Sequence, residues 1–301
     1  MKAFRIVLVA LSLVFPAAAL SASTWDDARR IPWNLESALS AAPQAVTFAG
    51  AGGVTLKGWL YLPDTPGLHR AIVAIHGCSG LDGADGRPSE RHADWGERWA
   101  AAGYVALFPD SYGSRGLGPQ CKVEDREIHP AHERVDDVNA AFRWLITRPD
   151  VDPKQVALVG WSNGGSTTLY AVEPRHRPIG TTGDVDFARA VAFYPGCRQP
   201  LNTGRWRARL PLLTLIGDAD DWTPAAPCTD RIADAKAKAE GEPVAIVTYP
   251  DAYHDFDHPN LPIHTVEGLA FTAAGGGGAH TGTDPAARAQ AITLVMEYLA
   301  R

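Results

Sequence analysis

Residues 156–165 read Val-Ala-Leu-Val-Gly-Trp-Ser-Asn-Gly-Gly. The apolar run 156–159 has no polar alternation and suits a strand covered on both faces. Gly160-Trp161-Ser162-Asn163-Gly164 follows at once and leads into small, helix-compatible residues. A Ser on such a tight strand-to-helix turn is lifted above the carboxyl end of its sheet, and flanking glycines remove the Cβ atoms that would collide there. The segment predicts a sheet with an exposed, activatable hydroxyl at its rim.

The same rhythm runs outward in both directions. Runs 71–75, 104–108, 190–194, 212–216 and 244–249 are as continuous as 156–159 and read as strands buried on both faces of a parallel sheet. Ahead of them, 45–48 and 54–62 look like a hairpin turned by Gly50, Gly52 and Gly53. Helical segments 91–102, 132–146, 164–172, 224–240 and 285–300 lie between or after the strands. Val135, Val138, Phe142 and Leu145 form one apolar stripe; Ala287, Ala291, Leu294, Val295 and Tyr298 form another. Asp284 is placed to cap the last helix with Pro285 in its first turn, and Gly241 closes the helix before the final strand. This alternation predicts an α/β fold, a mostly parallel, doubly wound sheet of about eight strands flanked by helices. Stretches 110–130, 173–186 and 257–283 are too irregular for simple connections, and the first and third leave the carboxyl end of the sheet as candidate pocket rims.

Hydrophobic residues at 46% and charged ones at 21% fit a soluble globular chain of 301 residues. The start is different. Lys2 and Arg5 precede an apolar segment, 6–15, then Pro16 and small residues, which reads as a secretory leader over 1–22 with one domain over 23–301. A membrane anchor needs about 20 apolar residues and leaves the small-residue tail unexplained. The formal charge of −6 becomes more negative once Lys2 and Arg5 leave with the leader, so there is no basic footprint for nucleic acid or an anionic membrane. Export lets Cys78, Cys121, Cys197 and Cys228 pair. Each of the pairs Cys78 with Cys121 and Cys197 with Cys228 follows consecutive expected strands, which favours that pairing over four buried thiols; no two are close enough for a CxxC-type zinc arm.

A Ser hydroxyl is a weak nucleophile and needs a base, and the base needs an orienting group. After 212–216 come Asp218, Asp220 and Asp221 beside Trp222; after 244–249 come Tyr253 and His254. The order Ser, Asp, His is that of the α/β-hydrolases. Asp220 is the preferred acid, Asp218 being suited to burial or capping and Asp221 to facing outward. His258, four residues beyond His254, is the competing base, and the His/Asp alternation 254–258 is the metal-site alternative. His129 and His132 read as surface residues or a helix start. The oxyanion of acyl transfer calls for two backbone N–H donors: Asn163, next after the Ser, and Cys78 in the loop His76-Gly77-Cys78-Ser79-Gly80. No metal or organic cofactor is implied.

His76 to Gly80, the run DSYGSRG over 110–116, Gly160 to Gly164, the GxxDxxxP spacing from Gly217 to Pro224, and YPDAYHDFD from Tyr249 together resemble the dienelactone hydrolase family. The resemblance runs from about residue 45 to the last helix and implies Ser162 as nucleophile, Asp220 as acid and His254 as base. The founding members carry a Cys at the elbow and act in the cytoplasm, whereas this chain has Ser162 and a leader. Ser suits oxygen esters and resists oxidation outside the cell. The expected activity is a secreted carboxylic-ester or lactone hydrolase. A peptidase of the prolyl oligopeptidase type and a non-catalytic binding module on the same scaffold are the alternatives. For substrate contacts, Arg115 offers a fork for a carboxylate, and Trp161, Trp222 and Tyr253 flank the site as an aromatic wall.

Overall fold

The computed structural model describes residues 42–178, 185–198 and 206–301; the expected leader lies outside the described residues. Eight strands form one sheet in the order β1-β2-β4-β3-β5-β6-β7-β8. They are β1 (Gln44–Ala49), β2 (Thr55–Tyr61), β3 (His69–Ile75), β4 (Tyr104–Asp110), β5 (Val151–Trp161), β6 (Arg189–Phe193), β7 (Leu212–Gly217) and β8 (Val244–Tyr249). The leading hairpin runs antiparallel, β1 to β2 and β2 to β4, and every later pairing is parallel. The helices are α1 (Glu90–Ala101), α2 (Glu133–Leu145), α3 (Asn163–Ala171), α4 (Ala225–Lys238) and α5 (Pro285–Ala300). This is the mostly parallel, helix-flanked sheet of the α/β-hydrolase fold.

Burial explains why the central strands are apolar without alternation. Every residue of β4 and β7, and Ala71 to Ile75 of β3, is buried, so no position faces water. β8 departs from that expectation: it closes one edge of the sheet, and its middle residues Ala245 to Val247 are only half-buried. In α2 the stripe of Val135, Val138, Phe142 and Leu145 is buried as its spacing predicts. In α5 the fully buried line is Ala287, Ala291, Val295 and Leu299, with Leu294 and Tyr298 packed at its margin. Asp284 caps α5, its carboxylate accepting from Ala287 N at 2.7 Å.

The stretch 257–283 contains an element the sequence pattern did not announce. β9 (His264–Leu269) and β10 (Gly277–Thr281) pair as a separate antiparallel hairpin. Ala270 N donates to Cys121 O at 3.1 Å and Ala273 N to Asp221 O at 2.9 Å, which ties the hairpin to two loops at the carboxyl end of the sheet.

Candidate active site

Ser162 sits between β5 and α3 with φ +53° and ψ −115°, the left-handed side of backbone space that L-residues avoid unless the surroundings impose it. The imposition is visible at two glycines. A Cβ on Gly160 would lie 2.3 Å from Gly164 O, and one on Gly164 would lie 2.1 Å from Ile75 O. The helix start can therefore lie directly on the ends of β5 and β3, and the serine is held at the turn's apex.

Ser162, His254 and Asp220 meet there although their sequence positions are far apart. His254 Nε2 is 2.9 Å from Ser162 Oγ, and His254 Nδ1 is 2.8 Å from Asp220 Oδ2. With Nδ1 donating to the carboxylate, Nε2 is left to accept from the serine hydroxyl. Asp220 is held in turn: its Oδ1 accepts from Trp222 N at 2.9 Å and Thr223 N at 2.7 Å, and Thr223 Oγ1 lies 2.9 Å from Oδ2. Burial alone would lower the affinity of His254 for a proton. The charge and hydrogen bond of Asp220, helped by Asp255, outweigh it and raise the imidazole above its ordinary value.

The neighbouring acids have other partners. Asp218 is exposed and accepts from Asp251 N at 2.7 Å, bracing the loop that carries His254. Asp221 accepts from His280 N and faces His280 Nδ1, both at 2.8 Å, which anchors β10. The alternating segment after His254 is likewise spoken for. Asp255 pairs with Arg91, and Asp257 accepts from Trp95 Nε1, Trp161 Nε1 and the Tyr194 hydroxyl. Its carboxylates serve a buried brace for the His254 loop.

Cys78 and Asn163 line the same cavity as Ser162. As the first residue of α3, Asn163 has no intrahelical acceptor for its N–H. Cys78 is bonded to Cys121, and Gln120 N donates to Cys78 O at 2.7 Å, so the β3 loop is fastened to the stretch after β4. The second bridge joins Cys197 to Cys228. A cavity of about 520 Å³ opens over Ser162; Cys78, Arg126, Cys197, Arg198, Trp222 and Phe271 are among its walls. Trp222 lies against His254 with ring centroids 4.6 Å apart.

Three expected substrate contacts are elsewhere. Arg115 points away from the cavity and holds Asp137 of α2 in a two-bond fork at 2.9 and 2.8 Å, because the short turn Gly113–Arg115 aims its side chain at the helix. Trp161 is wholly buried, since the strand pleat directs it into the aromatic core against Phe108 and Phe193 while Ser162 turns outward. Tyr253 packs against His280 at a tilt, 5.0 Å between centroids, and forms no part of the cavity wall. Trp222 alone of the proposed aromatic wall lines the cavity; Arg126 and Phe271, which the sequence reading passed over, face each other there, with the guanidinium 4.8 Å from the ring centroid. Their only signal was their place in stretches read as pocket rims.

Sheet order, elbow and rim loops define a hydrolase of the α/β-hydrolase fold. The chain belongs to the dienelactone hydrolase family, whose model matches residues 56–301. The uncharacterized peptidase YuxL of Bacillus subtilis (strain 168) is 23% identical over 267 residues, which cover 77% of this chain and 38% of YuxL. The chain thus spans well under half the length of that relative. Among solved structures, Thermogutta terrifontis esterase 2 phosphoramylated by tabun is similar with a TM-score of 0.60 and 21% identity, over 87% of this chain and 95% of that one. Pyrococcus horikoshii acylaminoacyl peptidase gives 0.58 and 18%, over 86% of this chain and 41% of that one. At these identities the likeness is one of fold.

Proposed function

We propose that the chain is an exported serine hydrolase that cleaves carboxylic esters or lactones through an acyl-enzyme. The observation that carries this reading is the unbroken hydrogen-bond chain from Ser162 Oγ through His254 to Asp220 beneath an open cavity. Ser162 Oγ attacks the carbonyl carbon as His254 Nε2 takes its proton, and the carbonyl electron pair moves to oxygen. The Cys78 and Asn163 N–H groups receive that oxyanion, each worth about 3 kcal/mol in such a role. Collapse of the intermediate expels the alcohol, which takes the proton from His254. Water, deprotonated by the same imidazole, then cleaves the acyl-enzyme. The bridges Cys78–Cys121 and Cys197–Cys228 support an oxidising compartment, in keeping with a leader over residues 1–22 and a single domain after it.

The test is initial rates on p-nitrophenyl esters of increasing acyl length, with lactones and one amide alongside, for the parent and Ser162→Ala. Ester or lactone turnover that vanishes in Ser162→Ala is the expected result. Turnover undiminished by that change would end the triad reading, and an amide cleaved faster than every ester would move the chain to the peptidases among its relatives.

A further inference from the structure

Arg134 lies on the buried side of α2 with no exposed surface. One Nη donates to His76 O, on the loop that carries Cys78, and the other to Asn163 Oδ1, on the residue after Ser162. Tyr112 joins them: its hydroxyl donates to Asn163 Oδ1 at 3.1 Å, and its ring centroid lies 4.9 Å from the guanidinium carbon. His76 is kept neutral, burial and the Arg134 charge both disfavouring its protonation; Nδ1–H donates to Gly77 O at 2.7 Å while Nε2 accepts from Ser111 N at 3.1 Å.

What faces this cation is as informative as what holds it. Among the described residues no carboxylate lies within ion-pair reach of Arg134. Asp137, one turn along α2, is taken by Arg115 in a two-bond fork. Asp110 is engaged by Tyr112 N and Gly113 N at 3.1 and 2.8 Å. The partner on the elbow is an amide oxygen, which accepts a hydrogen bond without cancelling charge. Burying an unpaired guanidinium is unfavourable in a resting protein, and Arg stays protonated regardless.

We infer that Arg134 is the positioning residue of the oxyanion site: one buried guanidinium fixes the two loops that carry the Cys78 and Asn163 amides and keeps its positive charge behind them for the oxyanion. The inference rests on the acyl-transfer reading above. Its charge opposes the energetic burden of the tetrahedral intermediate only when that intermediate is present, so it acts on kcat more than on KM.

The test uses an alkyl trifluoromethyl ketone carrying ¹³C at its carbonyl. Ser162 Oγ adds to that carbon, the π pair becomes the hemiketal oxygen, the serine proton passes to His254, and ¹³C NMR across pH reads the oxyanion's pKa. Arg134→Gln is expected to raise that pKa by about one unit or more, a tenfold loss of oxyanion stabilisation, with kcat lowered at least about tenfold and KM within about threefold. Arg134→Lys, which keeps the charge, is expected to stay within about half a unit of the parent. A Gln variant titrating with the parent overturns the inference. Should Arg134→Gln fail to fold, Asn163→Asp sets a carboxylate against the intact guanidinium and is expected to give the same upward shift; no shift overturns the inference equally. An adduct that persists in Ser162→Ala, or none in the parent, sinks the triad reading and this inference with it. A Ser162-dependent adduct whose pKa ignores both substitutions sinks the Arg134 inference alone.

Discussion

Replacing Asp220 with Asn removes one charge from a site whose neighbours dictate how the new amide will sit. The position of Oδ1 receives two backbone N–H groups, Trp222 and Thr223, so the amide oxygen stays there. Its NH₂ then occupies the place of Oδ2, 2.8 Å from His254 Nδ1. A donor at that place turns Nδ1 into an acceptor, puts the imidazole proton on Nε2, and leaves nothing to accept from Ser162 Oγ. The electrostatic loss adds to this. A unit charge about 4 Å from the imidazolium at an effective dielectric of about 20 contributes about 4 kcal/mol, or roughly 10³ in rate. With the wrong tautomer included, kcat on a p-nitrophenyl ester should fall between about 10³ and 10⁴. The pH profile supplies a second reading. Asp220 raises the proton affinity of the buried His254, so the acid limb of kcat/KM in the parent lies above the ordinary histidine value. In Asp220→Asn that limb moves to lower pH, since burial then acts with less opposition. A loss smaller than about thirtyfold, or an acid limb that stays in place, would refute Asp220 as the orienting acid.

Three other perturbations bear on the scaffold. Gly164→Ala puts a methyl 2.1 Å from Ile75 O and 2.5 Å from His76 O, so calorimetry should show a destabilisation of about 3 kcal/mol and kinetics a loss of kcat; unchanged values of both would mean the elbow is looser than described. Cys121→Ser opens the bridge across a separation of 43 residues and should remove about 4 kcal/mol of stability, a drop of about 10 °C in Tm, together with part of the turnover. A variant as stable and active as the parent would leave the bridge without a role at the oxyanion loop. Asp255→Asn separates Arg91 from its partner beside His254 and should lower stability by about 3 kcal/mol at neutral pH. Burial would raise the Asp255 carboxyl, but Arg91, His254 and the hydrogen bonds from Thr281 and Arg91 hold it well below the usual carboxylate range. Its contribution is therefore complete above the unfolded value of about 3.9 and disappears only as pH falls through the lower folded value. A Tm gap between parent and variant that closes already near pH 5 would contradict this.

What could be read from sequence, and what could not, divides along a physical line. Strands β3 to β7 announce themselves because both faces are buried, so any polar residue would have lost its water and the runs stay apolar. β9 and β10 do not. β9 is mostly exposed, and β10 is short and opens on two glycines, so neither carries a legible alternation of apolar residues and 257–283 looks like loop. At the site, Ser162, Asp220 and His254 were legible because each is placed by backbone, a few residues beyond the end of a strand. Arg115 and Trp161 were misread because side-chain direction off a turn or pleat depends on what it can reach, and Asp137 and the aromatic core lay within reach.

Arg134 shows what a closer sequence reading can recover. It precedes Val138 by one helical turn and so falls on the same stripe as the buried residues of α2, a charge at a position that the period reserves for the core. A lone charge in such a stripe is either an error of register or a group the interior has been arranged to receive. Val138 and Phe142 fix the register, so the interior must supply acceptors, and it supplies a carbonyl, an amide oxygen and a phenol from three elements distant in sequence. Those acceptors serve the two Nη groups, with Nε left without a partner, and they leave the charge in force. A site in which negative charge appears during turnover gains from that combination, and the two loops Arg134 holds carry Cys78 and Asn163, which line the cavity with Ser162. A core-stripe charge without an adjacent carboxylate is thus a sequence feature whose meaning depends on the electrostatics of the reaction as much as on packing.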